Sequence, residues 1–201
     1  MTDYTRRDVL KFLAAAPLAE FAVSGIDIDH ASARTAEVLE RLSQRGQRYR
    51  PKYFTEDEWR TVRILVDLVI PRDEHSGSAT DAGVPEFMDF MLGDRPAIRQ
   101  WMREGLAWLT VECERRYGKP FADCEPSQRT AMLDDIAWPA RAPSEVQAGA
   151  RFFNNFRNLS ASGFWSSRIG VRDLGYIGNT AQAEWKGCPP AALRKLGVRY
   201  S

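Results

Sequence analysis

Between Pro96 and Gly118 the apolar residues Ile98, Met102, Leu106, Leu109, Cys113 and Tyr117 recur at the three-and-four spacing of one face of an α-helix. Trp101, Gly105 and Trp108 widen that stripe. Proline suits the first turn of a helix because its missing N–H costs nothing there, and glycine accepts the left-handed conformation that often ends one. The spacing predicts a long helix from Pro96 to Gly118, central to the core. No window of the chain alternates over several strands, so the predicted fold class is all-α.

Other helices frame it. Thr55 with Glu58 three residues on forms a capping box, and Phe54 stands where a hydrophobic staple begins. Trp59, Val62, Leu65, Val66 and Val69 then share a face up to Ile70, where Pro71 ends the run. Short helices are predicted from about Pro85 to Leu92 and from Pro126 to Ile136, and a longer one from Glu145 to about Phe164. The loop Arg72–Gly83 is long for a compact domain, and loops of that length are disproportionately functional. From Gly170 the chain becomes rich in glycine and proline, with Tyr176 and Trp185 among them, a composition suited to lying across a domain or a partner.

Near the N-terminus, Arg6-Arg7-Asp8-Val9-Leu10-Lys11 precedes the apolar run Phe12–Ala19. Arg6, Arg7, Leu10 and Lys11 ahead of a short alanine-rich segment resemble a bacterial twin-arginine export signal. The apolar run reaches only eight residues before Glu20, against roughly 20 for a bilayer-spanning helix. Ala31-Ser32-Ala33 has the small-x-small form of a cleavage site but lies well beyond the run. The twin-arginine route carries folded proteins, often with cofactors loaded, so such a chain either holds a cofactor or travels with a partner that does. The resulting division is a signal region at 1–33, a basic helix and linker at 34–53, a helical domain at 54–169 and an irregular tail at 170–201.

With 28 basic and 27 acidic residues, the charge balance excludes a nucleic-acid surface as the leading expectation. The two histidines, His30 and His75, form no His-Glu-x-x-His, and no Cys-x-x-Cys, dinucleotide fingerprint or phosphate loop accompanies them. No catalytic, cofactor-binding or metal-ligating residue is therefore assigned. The acidic loop at 73–83 keeps open an alternative, a free-standing periplasmic hydrolase using those carboxylates.

Three cysteines leave the pairing open. Cys113 and Cys124, separated by the turn-forming Tyr117-Gly-Lys-Pro, are candidates for an intrachain disulfide worth about 3 kcal/mol in the chain-entropy model. Cys188, in a Gly-Cys-Pro-Pro loop, is the candidate for an intersubunit bond. The alternative is that all three stay reduced and some pack in the core.

Taken in order, Phe54-Thr-Glu-Asp-Glu-Trp, Leu68-Val-Ile-Pro-Arg-Asp, Ala82-Gly-Val-Pro-Glu-Phe-Met-Asp, Tyr117-Gly-Lys-Pro-Phe and Asp173-Leu-Gly-Tyr-Ile-Gly-Asn resemble the gluconate 2-dehydrogenase subunit 3 family. The likeness spans about residues 54 to 188, and its Gly-Cys-Pro-Pro segment is similar to the small subunits that accompany glucoside 3-dehydrogenases. The resemblance implies a small, non-catalytic partner of an FAD-dependent glucose-methanol-choline type oxidoreductase acting on sugars in the periplasm. It implies no cofactor in this chain and FAD in the large subunit, with electrons leaving through a cytochrome c subunit. It further implies that this chain's leader engages the twin-arginine translocase for both subunits and that it helps the large subunit mature. Trp165, Tyr176 and Trp185, the basic segment before Pro51 and the 73–83 loop are the candidate partner interface.

Overall fold

A computed structural model describes residues 24–175 and 187–199. Arg6, Arg7, Leu10, Lys11, Tyr176 and Trp185 lie outside the described residues. Among those described there are eight α-helices and no strand, in agreement with the all-α expectation. The helices are α1 (Gly25–Gln44), α2 (Glu56–Val69), α3 (Val84–Asp94), α4 (Pro96–Tyr117), α5 (Pro126–Ile136), α6 (Gln147–Trp165), α7 (Arg168–Asp173) and α8 (Pro190–Leu196). None of them is long and apolar enough to cross a membrane.

Local signals act as the sequence predicts. The Thr55 side chain accepts from Glu58 N, and Glu58 returns the bond to Thr55 N at 2.7 Å. Phe54 and Trp59 bring their rings to 6.0 Å, closing the staple that sets the chain's entry into α2. Gly118, with φ 72°, caps α4 in the left-handed conformation that a β-carbon would strain.

The centre of the core differs from the expectation. α4 buries one broad face, from Ile98 to Cys113, but it is the shorter α3 that is enclosed: every residue from Val84 to Leu92 is buried. α1, α2, α4 and α6 all pack against it. A helix covered all round loses the polar face that periodicity detects, which is why α3 reads from sequence as a minor element. Fully buried Phe87, Phe121, Phe152, Phe156 and Phe164 fill the space between these helices, each worth about 1.5–3 kcal/mol in apolar transfer.

The contact of α4 with α6 is made by glycine opposite aromatic. A β-carbon on Gly105 would stand 1.8 Å from the Phe152 ring, and one on Gly149 would stand 2.0 Å from the Trp108 ring. Each helix thus lends the other a flat site for an aromatic ring, and the two axes approach closely.

Of the three segment boundaries expected from composition, 53/54 falls in the linker ahead of α2 and the other two fall inside helices. α1 runs across the 33/34 boundary and holds Ala31 buried near its middle, so the Ala31-Ser32-Ala33 segment is helical. α7 crosses the 169/170 boundary, and the tail carries α8, in which no residue is buried.

Candidate partner interface

The buried acids of α3 organise the N-terminal arm. Asp89, fully buried, accepts at one oxygen from the Tyr49 hydroxyl and Lys52 N, both at 2.8 Å. Its other oxygen accepts from Tyr53 N at 2.9 Å and Phe54 N at 3.2 Å. One carboxylate thereby receives the chain that links α1 to α2, satisfying donors that a buried turn otherwise strands. Burial, and then the hydrogen bond to Asp89, push the Tyr49 phenol up, so it remains a donor.

Glu86, one turn earlier, is buried without such company. Its Oε2 finds no hydrogen-bond partner among the described residues. Burial raises its pKa above the ordinary glutamate value, opposed by the charge of Arg63 and reinforced by Asp89.

α1 lies on this platform through few apolar groups, Ala31 and Thr35 being the buried ones. Polar contacts spread along it. Asp27 pairs with Arg95, Arg34 meets Asp94 at 3.2 Å, Glu40 meets Arg168 at 3.4 Å, and the Ser32 hydroxyl bonds that of Ser166. Exposed ion pairs of this kind contribute about 0–1 kcal/mol each. A groove of about 740 Å³ runs beside the arm, with Ser32, Leu39 and Ser43 of α1 facing Phe87, Ser167 and Ile169. Arg45, Arg48 and Arg50, the basic segment before Pro51, are exposed where the arm ends.

The 73–83 loop is internally tied. Asp73 accepts from His75 N at 2.8 Å and Ser76 N at 2.7 Å, the His75 N–H being the main cause that lowers its pKa. Asp81 accepts from Arg72 and from Ser78 N, each at 2.7 Å, and Asp67 receives Thr80 N at 2.7 Å. These carboxylates shape the loop through its own backbone. Among the described residues no group of three or more His, Cys, Asp or Glu side chains is placed to hold a metal.

Trp165, at the C-terminal end of α6, is 40% exposed, its ring set edge-on to Phe164 with centroids 4.9 Å apart. Leu174 at the end of α7 and Leu196 on α8 are exposed as well. Cys188 is exposed just ahead of α8.

Among the described residues, the most exposed tryptophan is one that sequence reading passes over. Trp138, 61% exposed, stands in the turn between α5 and α6. Gln147 Nε2 donates to the carbonyls of Pro139 at 2.8 Å and Ala142 at 2.7 Å, and Arg157 donates to that of Ala137 while its guanidinium lies 5.6 Å from the indole centroid. The turn that presents the indole is thus braced through its backbone carbonyls. Rigid, exposed aromatics are the side chains that anchor protein interfaces. The signal available in sequence was Trp138-Pro139 directly after a helix end, which has no periodicity to mark it.

Cys113 and Cys124, the candidates for an intrachain disulfide, are both buried free thiols in the structure, the Cys124 thiol lying 3.5 Å from the Pro120 carbonyl oxygen. Burial pushes the Cys113 thiol up to about 12, with Cys124 reinforcing the shift. Nearby, Glu112 is lowered to about 2 by its bonds to Arg115 at 2.6 and 2.9 Å and to Arg116 at 2.8 Å.

Comparison with known proteins adds one finding. The family model described as gluconate 2-dehydrogenase subunit 3 matches residues 56–182, from the start of α2 to beyond α7. No curated protein and no solved structure matches the chain.

Proposed function

The chain belongs to the gluconate 2-dehydrogenase subunit 3 family, and from that membership we propose that it is the non-catalytic small subunit of a periplasmic sugar or glucoside dehydrogenase. In this reading it escorts the FAD-containing catalytic subunit, assists its maturation and carries it through the twin-arginine translocase. Arg6 and Arg7 address both proteins, and a cytochrome c subunit receives the electrons after export.

The observation that carries the proposal is the family match over 56–182, which makes the helical domain a dehydrogenase-complex subunit. Two features support the escort role in particular. The arginine pair precedes α1 at the N-terminus, and Asp89 ties the α1–α2 linker to the centre of the family domain. An address joined to a firmly held arm moves with whatever the domain binds.

In this reading Trp165, Trp138 and the exposed leucines of α7's end and α8 supply apolar anchors for the catalytic subunit, and Cys188, exposed just ahead of α8, forms a disulfide to it. Tyr176 and Trp185 belong to the same proposed surface. Co-expression tests the role: without this chain, the catalytic subunit is expected to lose flavin loading and export together. Normal loading and export in its absence overturn the proposal. For the bond at Cys188, a non-reducing gel of the complex is expected to show one joined band, and two separate subunits reject it.

A further inference from the structure

We propose that the linker between α1 and α2, from Arg45 to Lys52, is a cationic comb that seats the folded domain on an anionic phospholipid surface. The inference goes beyond the subunit role, and it gives this segment, expected from sequence at the catalytic-subunit interface, a different partner.

The comb follows from how the linker is fixed. After α1 the chain turns back, so that Gln47 N reaches the Leu42 carbonyl at 2.9 Å, and Pro51 then confines Arg50 to extended backbone. Exposure alternates along the stretch: Arg48, Arg50 and Lys52 are exposed, whereas Tyr49, Pro51 and Tyr53 are half-buried. In an extended chain alternate side chains share a face, with successive members about 6–7 Å apart. The inner face is held by the core. The Tyr49 ring lies 5.8 Å from that of Trp59 and 5.9 Å from that of Phe90, and its hydroxyl bonds Asp89. The same carboxylate takes Lys52 N and Tyr53 N. Tyr53 packs so closely on Gly93 that a β-carbon there would stand 2.5 Å from its ring. The outward cations are therefore spaced by a backbone that packing has already set.

Those cations are unpaired. Elsewhere arginines close on carboxylates, as Arg60 does on Asp123 at 2.6 Å, and on α1 itself Arg34 meets Asp94 and Arg41 meets Glu37. Among the described residues no hydrogen bond, ion pair or ring contact forms on the side chains of Arg45, Arg48, Arg50 or Lys52. No acidic residue lies between Glu40, itself paired with Arg168, and Glu56. Arg99 of α4 adds a cation at the Lys52 end, its guanidinium 5.3 Å from the centroid of the Tyr53 ring.

This chemistry favours one kind of partner. A lone surface cation gains little from a single carboxylate, but cations closer together than the Debye length of about 8 Å act as a group on a charged sheet. Protein interfaces enclose an apolar core within a polar rim, and from Arg45 to Lys52 every exposed side chain is polar or glycine. Phospholipid headgroups present a layer of phosphates that charge alone recognises. With the linker backbone fixed beforehand, docking has only side chains to order.

The test is sedimentation of the full chain with vesicles of phosphatidylcholine and phosphatidylglycerol in a two-to-one ratio, against phosphatidylcholine alone, at physiological ionic strength. The wild type is expected to partition at least about tenfold more strongly onto the anionic vesicles, each engaged cation contributing about fivefold. R48Q/R50Q is expected to lose about tenfold or more of that binding, with an unchanged thermal midpoint because neither side chain has a partner to lose. R48K/R50K is expected to keep it, since headgroup attraction depends on charge. R151Q/R172Q, which removes two exposed cations from α6 and α7, is expected to change it by less than about twofold. Equal partition of the wild type onto both vesicles overturns the proposal. So does wild-type binding by R48Q/R50Q, an equal loss in R151Q/R172Q, or a loss in R48K/R50K as large as that in R48Q/R50Q. If R48Q/R50Q instead loses affinity for the purified catalytic subunit while vesicle binding stays intact, the comb belongs to an acidic protein surface and the proposal falls.

Discussion

Tyr49 donates its hydroxyl to Asp89 at 2.8 Å across 40 residues of sequence, and the same carboxylate receives the backbone N–H groups of Lys52, Tyr53 and Phe54. Asp89→Ala strands three backbone donors at once. The expected loss is about 3 kcal/mol or more in urea unfolding, whereas Tyr49→Phe, which removes one bond, is expected to cost about 1 kcal/mol. Trypsin should also cut faster after Arg48 and Lys52 in Asp89→Ala. Equal midpoints and equal cleavage would show that the carboxylate does not hold the linker.

The reciprocal seating of rings on glycines makes the α4–α6 contact intolerant of a methyl group. Gly105→Ala and Gly149→Ala are each expected to destabilise by about 1–3 kcal/mol despite alanine's better helix propensity. Gly118→Ala tests a different cause, the left-handed cap at φ 72°. A stabilising Gly105→Ala, read by thermal unfolding, would mean that Phe152 repacks freely.

Two buried glutamates are expected to act on stability with opposite pH dependence. Glu112, lowered to about 2 in the fold against an ordinary 4.5, stabilises above pH 4.5, and its contribution is lost as pH falls from there towards 2. Glu112→Gln should therefore cost about 2 kcal/mol at neutral pH, allowing for the half-exposed Arg115, and little at pH 2. Glu86 is raised, so the folded state keeps a proton that the unfolded chain releases, and stability falls as pH climbs above 4.5. Glu86→Gln should stabilise at neutral pH, with the gain vanishing near pH 4. Parallel pH–stability curves for the wild type and either variant would contradict these assignments.

Much of this was readable in sequence where a local cause acts alone. The capping box at Thr55 and the start of α4 at Pro96 and its stop at Gly118 all depend on residues close in the chain. The role of Asp89 depends on a segment 35–40 residues away. An acid within an apolar stretch reads as a solvated position until the helices that surround it are known. α3 was underestimated for the same reason, and Trp138 carries no pattern beyond its neighbouring proline. Of the residues put forward for the interface, Trp165 and Cys188 are exposed, while Asp73 and Asp81 of the 73–83 loop bond groups of the loop itself.

Trp138 provides a separable test of the interface. Trp138→Ala removes an exposed side chain and is expected to change folding stability by no more than about 0.5 kcal/mol. Binding to the catalytic subunit should weaken at least about tenfold if the indole is an anchor. Trp165→Ala is expected to act in the same direction. Unchanged affinity in both variants, measured by titration of the purified subunits, would move the interface elsewhere on the domain.

The most direct measurement follows the catalytic subunit rather than this chain. The FAD-containing subunit is co-expressed with the wild type or with an R6K/R7K variant, and periplasmic and cytoplasmic fractions are assayed for flavin and dehydrogenase activity. The account predicts active, flavin-loaded enzyme in the periplasm with the wild type, and both subunits held in the cytoplasm with the double substitution. Flavin-loaded dehydrogenase in the periplasm beside a stranded R6K/R7K chain would contradict it.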